Sequence, residues 1–183
     1  GEYITIDGFD IRYVESRCIG PSIYPAVTSR GVVIRDCHLA YSGIRNGGVG
    51  YGIQLHHSDV VIEDNEIHAN GVRNISLTIY TADDDPPVLM ENVVIQDNEL
   101  YDAWHATGVY LAVGGSQHTV RDITIRRNLM WEPPNNDKAD YLIMMNFIQN
   151  SGDVGDVDSV YFYSNIVINA HRNAIQLIGI SNA

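Results

Sequence analysis

Lysine occurs once in the 183-residue chain, at Lys138, and basic residues number 11 against 23 acidic ones. The resulting net charge of −12 disfavours the basic patches that a nucleic-acid backbone or an anionic lipid surface requires, so neither nucleic acid nor membrane is an expected partner. Long apolar runs are missing as well. Those present, such as Tyr141 to Met145 and Val88 to Met90, fall far short of the roughly 20 residues that span a bilayer as a helix. Two cysteines, Cys18 and Cys37, are too few for a disulfide framework, and neither stands in a CxxC or Cys/His spacing suited to zinc. They could pair only if their loops meet, so the redox compartment stays open. The chain begins Gly1-Glu2-Tyr3 and carries no basic-then-apolar leader. Helical periodicity is absent throughout. With 45% hydrophobic residues, one domain with one core is expected over residues 1–183.

What the chain does contain is a repeat. An apolar-x-apolar pair, a short polar turn and another apolar residue recur from Ile4, Val32, Val60, Val93, Ile123 and Val160, 28 to 37 residues apart. The copies read ITIDGFDI, VVIRDCHL, VVIEDNEI, VVIQDNEL, ITIRRNLM and VYFYSNIV. Period-two alternation rich in Val and Ile predicts short strands whose successive residues face opposite sides. A second strand signal lies between copies, at residues 52–55, 75–79, 108–113, 142–147 and 174–177. Each rung therefore has three strands, here called leading (the second signal), middle and trailing (the two halves of the repeat). Insertions fall in the loops on either side of the leading strand, as a solenoid requires.

The turn between middle and trailing strands holds Asn65, Asn98, Asn128 and Asn165 at one position. Asparagine tolerates left-handed backbone and bonds local backbone groups, and rungs stacked about 4.8 Å apart let each amide bond to its neighbours above and below. This pattern resembles the asparagine ladder of the right-handed parallel β-helix, the pectate-lyase-like superfamily, over essentially the whole chain from Ile4 to Leu177. The resemblance implies an all-β fold, a right-handed parallel β-helix (solenoid) of about six rungs of three short strands. Phe9 and Cys37 occupy the ladder position in the first two rungs, so the ladder should fade toward the N-terminus. Both ends stop inside the pattern, as expected of a segment of a longer solenoid or of a protomer that stacks end to end with copies of itself. Inward positions Ile34, Ile53, Leu55, Ile62, Ile67, Leu77, Ile95, Leu100, Leu111, Ile125 and Leu177 are the expected core.

Function is then expected on outward rows and loops. The superfamily commonly places active sites beside the leading strands. Outward residues there are Gln54, Ser76, Thr78, Tyr110 and Gln176, and the entering loops bring Arg73, Asn74, His105, His171 and Arg172. A histidine or tyrosine such as His105 or Tyr110 could remove a sugar-ring proton while Arg73 neutralises a uronate carboxylate. The plainer reading is that His105 and His171 bond only to the next rung's backbone. On the trailing strands, His38, Glu66 and Glu99 form one outward column, and Ala40, His68, Tyr101 and Trp131 form the next. Stacking at about 4.8 Å would bring Glu66 and Glu99 near the separation of a retaining glycosidase pair. With Trp104, the aromatic column could make a sugar-stacking platform; a solvated face relieved by His38 and His68 is the alternative. Acidic loop residues Asp83, Asp84 and Asp85 could take Ca²⁺, which would also bridge an anionic polysaccharide to an acidic chain; a solvated acidic surface is the competing reading. The middle strands expose Arg35, Glu63, Gln96 and Arg126 as a cross-rung polar column.

The motif sets of polygalacturonases and mannuronan epimerases are absent, and the lone lysine argues against lysine-base lyases. Asn74-Ile-Ser76 is a glycosylation sequon, but it begins a strand. Two readings remain open. One is a carbohydrate-active β-helix, of lyase or glycosidase type if an enzyme, acting on or binding a polysaccharide. The other is a non-catalytic fibre, adhesin or filament segment. The resemblance implies an extracellular or cell-surface location for either.

Overall fold

The computed structural model describes residues 3–20, 30–43, 50–80, 87–114, 118–134, 141–146, 156–170 and 173–178. These hold strands and turns but no helix, and among them no helix is long and apolar enough to cross a membrane. The strands form three parallel sheets of six. The middle sheet contains Ile4–Asp7, Arg30–Arg35, Ser58–Glu63, Leu89–Gln96, Thr119–Arg126 and Asp156–Tyr163. The trailing sheet contains Asp10–Arg12, His38–Ala40, Glu66–His68, Glu99–Tyr101, Leu129–Trp131 and Ile166–Ile168. The leading sheet contains Arg17–Ile19, Tyr51–Leu55, Arg73–Tyr80, Ala106–Gly114, Tyr141–Asn146 and Asn173–Ile178. Each strand pairs with the strand three elements away, so the chain winds as a solenoid.

Register follows the repeat. Ile6, Ile34, Ile62, Ile95, Ile125 and Phe162 stand opposite one another in the middle sheet. Ile11, Leu39, Ile67, Leu100, Met130 and Val167 do so in the trailing sheet. The expected core residues with described side chains are 0–4% exposed, each contributing about 1.5–3 kcal/mol of apolar burial. Leu177 has no described side chain. First- and last-coil residues have a neighbouring coil on one side only, so Ile4, Phe9 and Ile175 are about half exposed or more. The three-residue leading strand Arg17–Ile19 escaped the period-two pattern, being too short to show alternation.

The asparagine positions form the ladder. Asn65 Oδ1 accepts from the Cys37 N–H, Asn98 Oδ1 from the Asn65 N–H, Asn128 Oδ1 from the Asn98 N–H and Asn165 Oδ1 from the Asn128 N–H, all at 3.0–3.1 Å. The expectation of left-handed backbone at the asparagines themselves is corrected: that conformation belongs to the residue before each. Asp64, Asp97, Arg127 and Ser164 have φ of 54–56°. This turns the chain from middle to trailing sheet while the following asparagine points inward, 1–2% exposed at Asn65, Asn98 and Asn128. Cys37 imitates the ladder. Its thiol donates to the Arg35 carbonyl at 3.0 Å, two residues back, as Asn98 Nδ2 donates to Gln96 at 2.8 Å. Cys18 is equally occupied, its thiol directed at the Ile11 and Ala40 carbonyls, and the two cysteines do not pair. Burial pushes the Cys18 thiol pKa up to about 11.

The middle sheet's outer face is a cross-coil polar network. Arg35 bonds to Asp7, Gln96 to Glu63, and Arg126 to both Gln96 and the Tyr163 hydroxyl. In a parallel column, Glu91 receives Arg30 and Arg121. These exposed pairs add little stability individually but commit the face to holding coils in register.

Candidate functional site

Two outer faces remain. In the trailing sheet, the first outward column runs Asp10, His38, Glu66, Glu99 and the second Arg12, Ala40, His68, Tyr101, Trp131. A single diagonal contact is repeated between them, from the first column of one coil to the second column of the next. His38 Nε2 meets His68 Nε2 at 2.8 Å, the Tyr101 hydroxyl donates to Glu66 Oε1 at 2.7 Å, and Trp131 Nε1–H donates to Glu99 Oε1 at 2.9 Å. The rings of His68, Tyr101 and Trp131 stack along the solenoid axis, with centroids 4.4 Å apart at each step and planes 3° and 14° from parallel. Each pair contributes about 0.5–1.5 kcal/mol.

This geometry changes what the aromatic column can offer. Both faces of Tyr101 are covered, by His68 and Trp131, so the column presents ring edges and carboxylates outward. Trp104 lies on the corner after the trailing strand, 59% exposed, its backbone N–H donating to the Asn70 carbonyl. Glu66 and Glu99 are opposite in register, and each is bonded to a separate ring. Burial, followed by the hydrogen bond to Glu66, drives the Tyr101 phenol well above its usual range. Burial and the neighbouring His38 lower the His68 pKa, keeping the ring neutral. Asp10 is held below the usual carboxylate range chiefly by its hydrogen bond from Arg12.

The leading sheet differs in charge. On a chain of net charge −12, none of its six strands contains Asp or Glu, and Arg17 and Arg73 lie on either side of Tyr51 in register. Seven carboxylates fall within the middle strands and three within the trailing strands. The Arg73 guanidinium carbon lies 3.4 Å from the Tyr110 ring centroid and 5.8 Å from that of Tyr51, a cation–π arrangement. A register shift between Ala106 and Val109 places Tyr110 opposite Ser76, within reach of Arg73. Gln54, Ser76 and Thr78, expected to face outward, alternate with core residues but are buried, as is Tyr110 at 3% exposure. Gln54 Nε2 donates to Thr78 Oγ1 at 3.3 Å. Gln54 Oε1, Ser76 Oγ and Arg73 Nε are buried without a hydrogen-bond partner, a set that a polar ligand could satisfy.

His105 is half-buried where its chain enters the leading sheet, and its backbone N–H donates to the Val72 carbonyl. Asn74, the sequon asparagine, is fully buried and donates to the Tyr101 and Thr107 carbonyls, a structural rather than a glycosylated role. His171, Arg172 and the three acids Asp83, Asp84 and Asp85 lie outside the described residues. Sequence reasoning missed the adjacent His56 and His57, whose rings lie 4.9 Å apart. It also missed the corner bonds in which Asn70 accepts from the Ser42 hydroxyl and donates to Asn74. Two consecutive histidines before a strand were the available signal for the first.

A family model described as right handed beta helix region matches residues 23–183. No curated protein and no solved structure matches the chain.

Proposed function

Since the chain belongs to the right-handed β-helix family, whose coils align side chains in rows, we propose that it recognises an acidic polysaccharide through the outer face of its leading sheet. The observation that carries this reading is the segregation of charge. The leading strands lack carboxylates and hold Arg17 and Arg73, whereas the other two sheets bear acids that would repel a uronate. Half-buried Arg73, braced on Tyr110, supplies a cation for a carboxylate, while the unpartnered Gln54 and Ser76 oxygens are buried and would meet sugar hydroxyls only after the cover over them opens. Recognition is better supported than cleavage, because Tyr110 must be uncovered before it could act as a base. Calcium held by acidic loops would add a bridge, and an extracellular or cell-surface setting goes with such a ligand.

Binding of uronate oligosaccharides, with neutral glucan oligosaccharides as control, tests this by calorimetry. Preference for the uronates is expected, weakened at least about tenfold in Arg73→Gln, consistent with loss of a charge-assisted pair. Equal affinity for neutral and acidic ligands, or an unaffected Arg73→Gln variant, would refute it. Ultraviolet absorbance of unsaturated uronate in the same mixtures reports lyase turnover.

A structural role is the second reading. It is favoured by exposed inward-column residues such as Ile4, Phe9 and Ile175, which a further coil, from a second copy or from more of the same solenoid, would cover. Light scattering showing only monomer across a wide concentration range counts against it.

A further inference from the structure

We propose that His38, His68 and Glu66 on the outer face of the trailing sheet form a binding site for a divalent transition-metal ion of the zinc class. One ligand atom from each lies within 4.8 Å of the other two. The contact between the histidines is the main observation. Their Nε2 atoms are 2.8 Å apart while the ring centroids are 5.0 Å apart, so the rings meet through their nitrogen edges rather than their faces. One proton is held between the two nitrogens, donated by His68 Nε2 to His38 Nε2; an ion would take its place, the neutral His68 ring carrying its proton on Nδ1 instead, with Glu66 Oε1 at 4.0 Å from His68 Nε2.

Local packing explains how this arises. His38 stands opposite Glu66, and Ala40 opposite His68. Because the alanine is small, the His38 ring can cross from its own column toward His68. All three ligands are also supported from behind. Asp10 Oδ1 lies 3.3 Å from His38 Nδ1, which directs that nitrogen's proton to the carboxylate and leaves Nε2 with its lone pair. The Tyr101 hydroxyl bonds to Glu66 Oε1, and the Tyr101 ring stacks on His68. Carboxylate-supported imidazoles with a nearby glutamate are the usual outer arrangement of a transition-metal site.

The donor set selects the ion. Two imidazole nitrogens and one carboxylate suit zinc and its neighbours; calcium takes six to eight oxygens. A tetrahedral ion about 2.0–2.1 Å from each nitrogen needs them about 3.3 Å apart, an opening of roughly 0.5 Å from the present contact. The two side chains are 24% and 10% exposed, so an ion can enter from solvent and keep a water as fourth ligand. The proposal is independent of the polysaccharide reading, which concerns the leading sheet.

Titration of the full chain, stripped with chelator, with Zn²⁺ against a Ca²⁺ control tests the site. One equivalent of Zn²⁺ should bind, with little competition from Ca²⁺. Affinity should fall at least tenfold in Glu66→Gln and His38→Gln, and about 10–100-fold in Tyr101→Phe, which keeps the stack but removes the supporting hydroxyl. Co²⁺ substitution should give the visible spectrum of a four-coordinate ion, lost in His38→Gln. Glu66→Gln and His38→Gln alter exposed or half-buried groups, and their circular dichroism should match the parent. Undiminished Zn²⁺ affinity in the His38→Gln/His68→Gln double variant, or no Zn²⁺ bound at micromolar concentration by the folded parent, would overturn the proposal.

Discussion

Truncating Asn98 to alanine tests whether the asparagine row supports the solenoid in proportion to its bonds. The Asn98 amide makes five hydrogen bonds. Its Oδ1 accepts from the Asn65 N–H and Nδ2 at 3.0 and 2.9 Å, and its Nδ2 donates to the Ile62 and Gln96 carbonyls and Asn128 Oδ1 at 2.8–3.0 Å. Asn98 is 2% exposed, so water cannot readily replace these partners. At about 1 kcal/mol per net bond, discounted for one donor hydrogen shared between two acceptors, the loss is about 3–5 kcal/mol. That is a large share of the roughly 5–15 kcal/mol of a folded domain. Asn165 makes three contacts of the same kind, accepting two from Asn128 and donating to Ile125, but is partly exposed. Its truncation should cost about 1–2 kcal/mol. The difference, near 2–3 kcal/mol, appears as a Tm lower by about 4–12 °C for Asn98→Ala than for Asn165→Ala. Repeat proteins can unfold in stages, so hydrogen exchange at the Asn65 amide, which should accelerate only in Asn98→Ala, is the second readout. Equal melting of the two variants, or protection at Asn65 unchanged, would show that the ladder is a consequence of coil stacking rather than a cause of its stability.

Cys37→Asn should extend the ladder by one coil. Its Oδ1 would accept from Phe9 N–H as Asn65 Oδ1 accepts from Cys37 N–H, raising stability by up to about 1 kcal/mol in urea denaturation, whereas Cys37→Ala should lower it. Acidification should weaken the fold through His56, whose pKa is pulled down to about 4 by burial, with smaller contributions from His57 and Arg17. The unfolded ring takes its proton near pH 6.5. The stabilisation is therefore complete above that pH and lost as pH falls toward 4, with an upper bound of about 3 kcal/mol. His56→Gln should flatten the Tm-versus-pH curve between pH 6.5 and 4, and an unchanged slope would remove His56 as the cause.

Much of the fold was legible because a solenoid repeats its physics. Period-two apolar residues and an asparagine at a constant offset specify strand, face and turn together, and Ile34, Ile62, Ile95 and Ile125 fall in register because their neighbours in sequence do. Exceptions are local. The left-handed residue before each ladder asparagine is aspartate in two coils, arginine in one and serine in one, a position defined by backbone rather than side-chain type. The burial of Tyr110 and Gln54 was not readable either, since period-two alternation separates inward from outward positions without saying whether the outward side is covered.

The trailing face shows why columns alone underdetermine chemistry. Strand alternation correctly separates His38, Glu66 and Glu99 from His68, Tyr101 and Trp131, but the contacts run diagonally between these sets. A side chain can cross to the next column only where size and hydrogen-bonding groups permit. Ala40 gives His38 that room, while Glu66 and Glu99 reach to the next coil, to the hydroxyl of Tyr101 and the indole N–H of Trp131. The same diagonal therefore yields paired imidazoles at one level and carboxylate–aromatic bonds at the next two. Function on this face depends on which residues face each other along the diagonal. A substitution at the small residue, Ala40, should disturb the imidazole pair as surely as removal of a histidine.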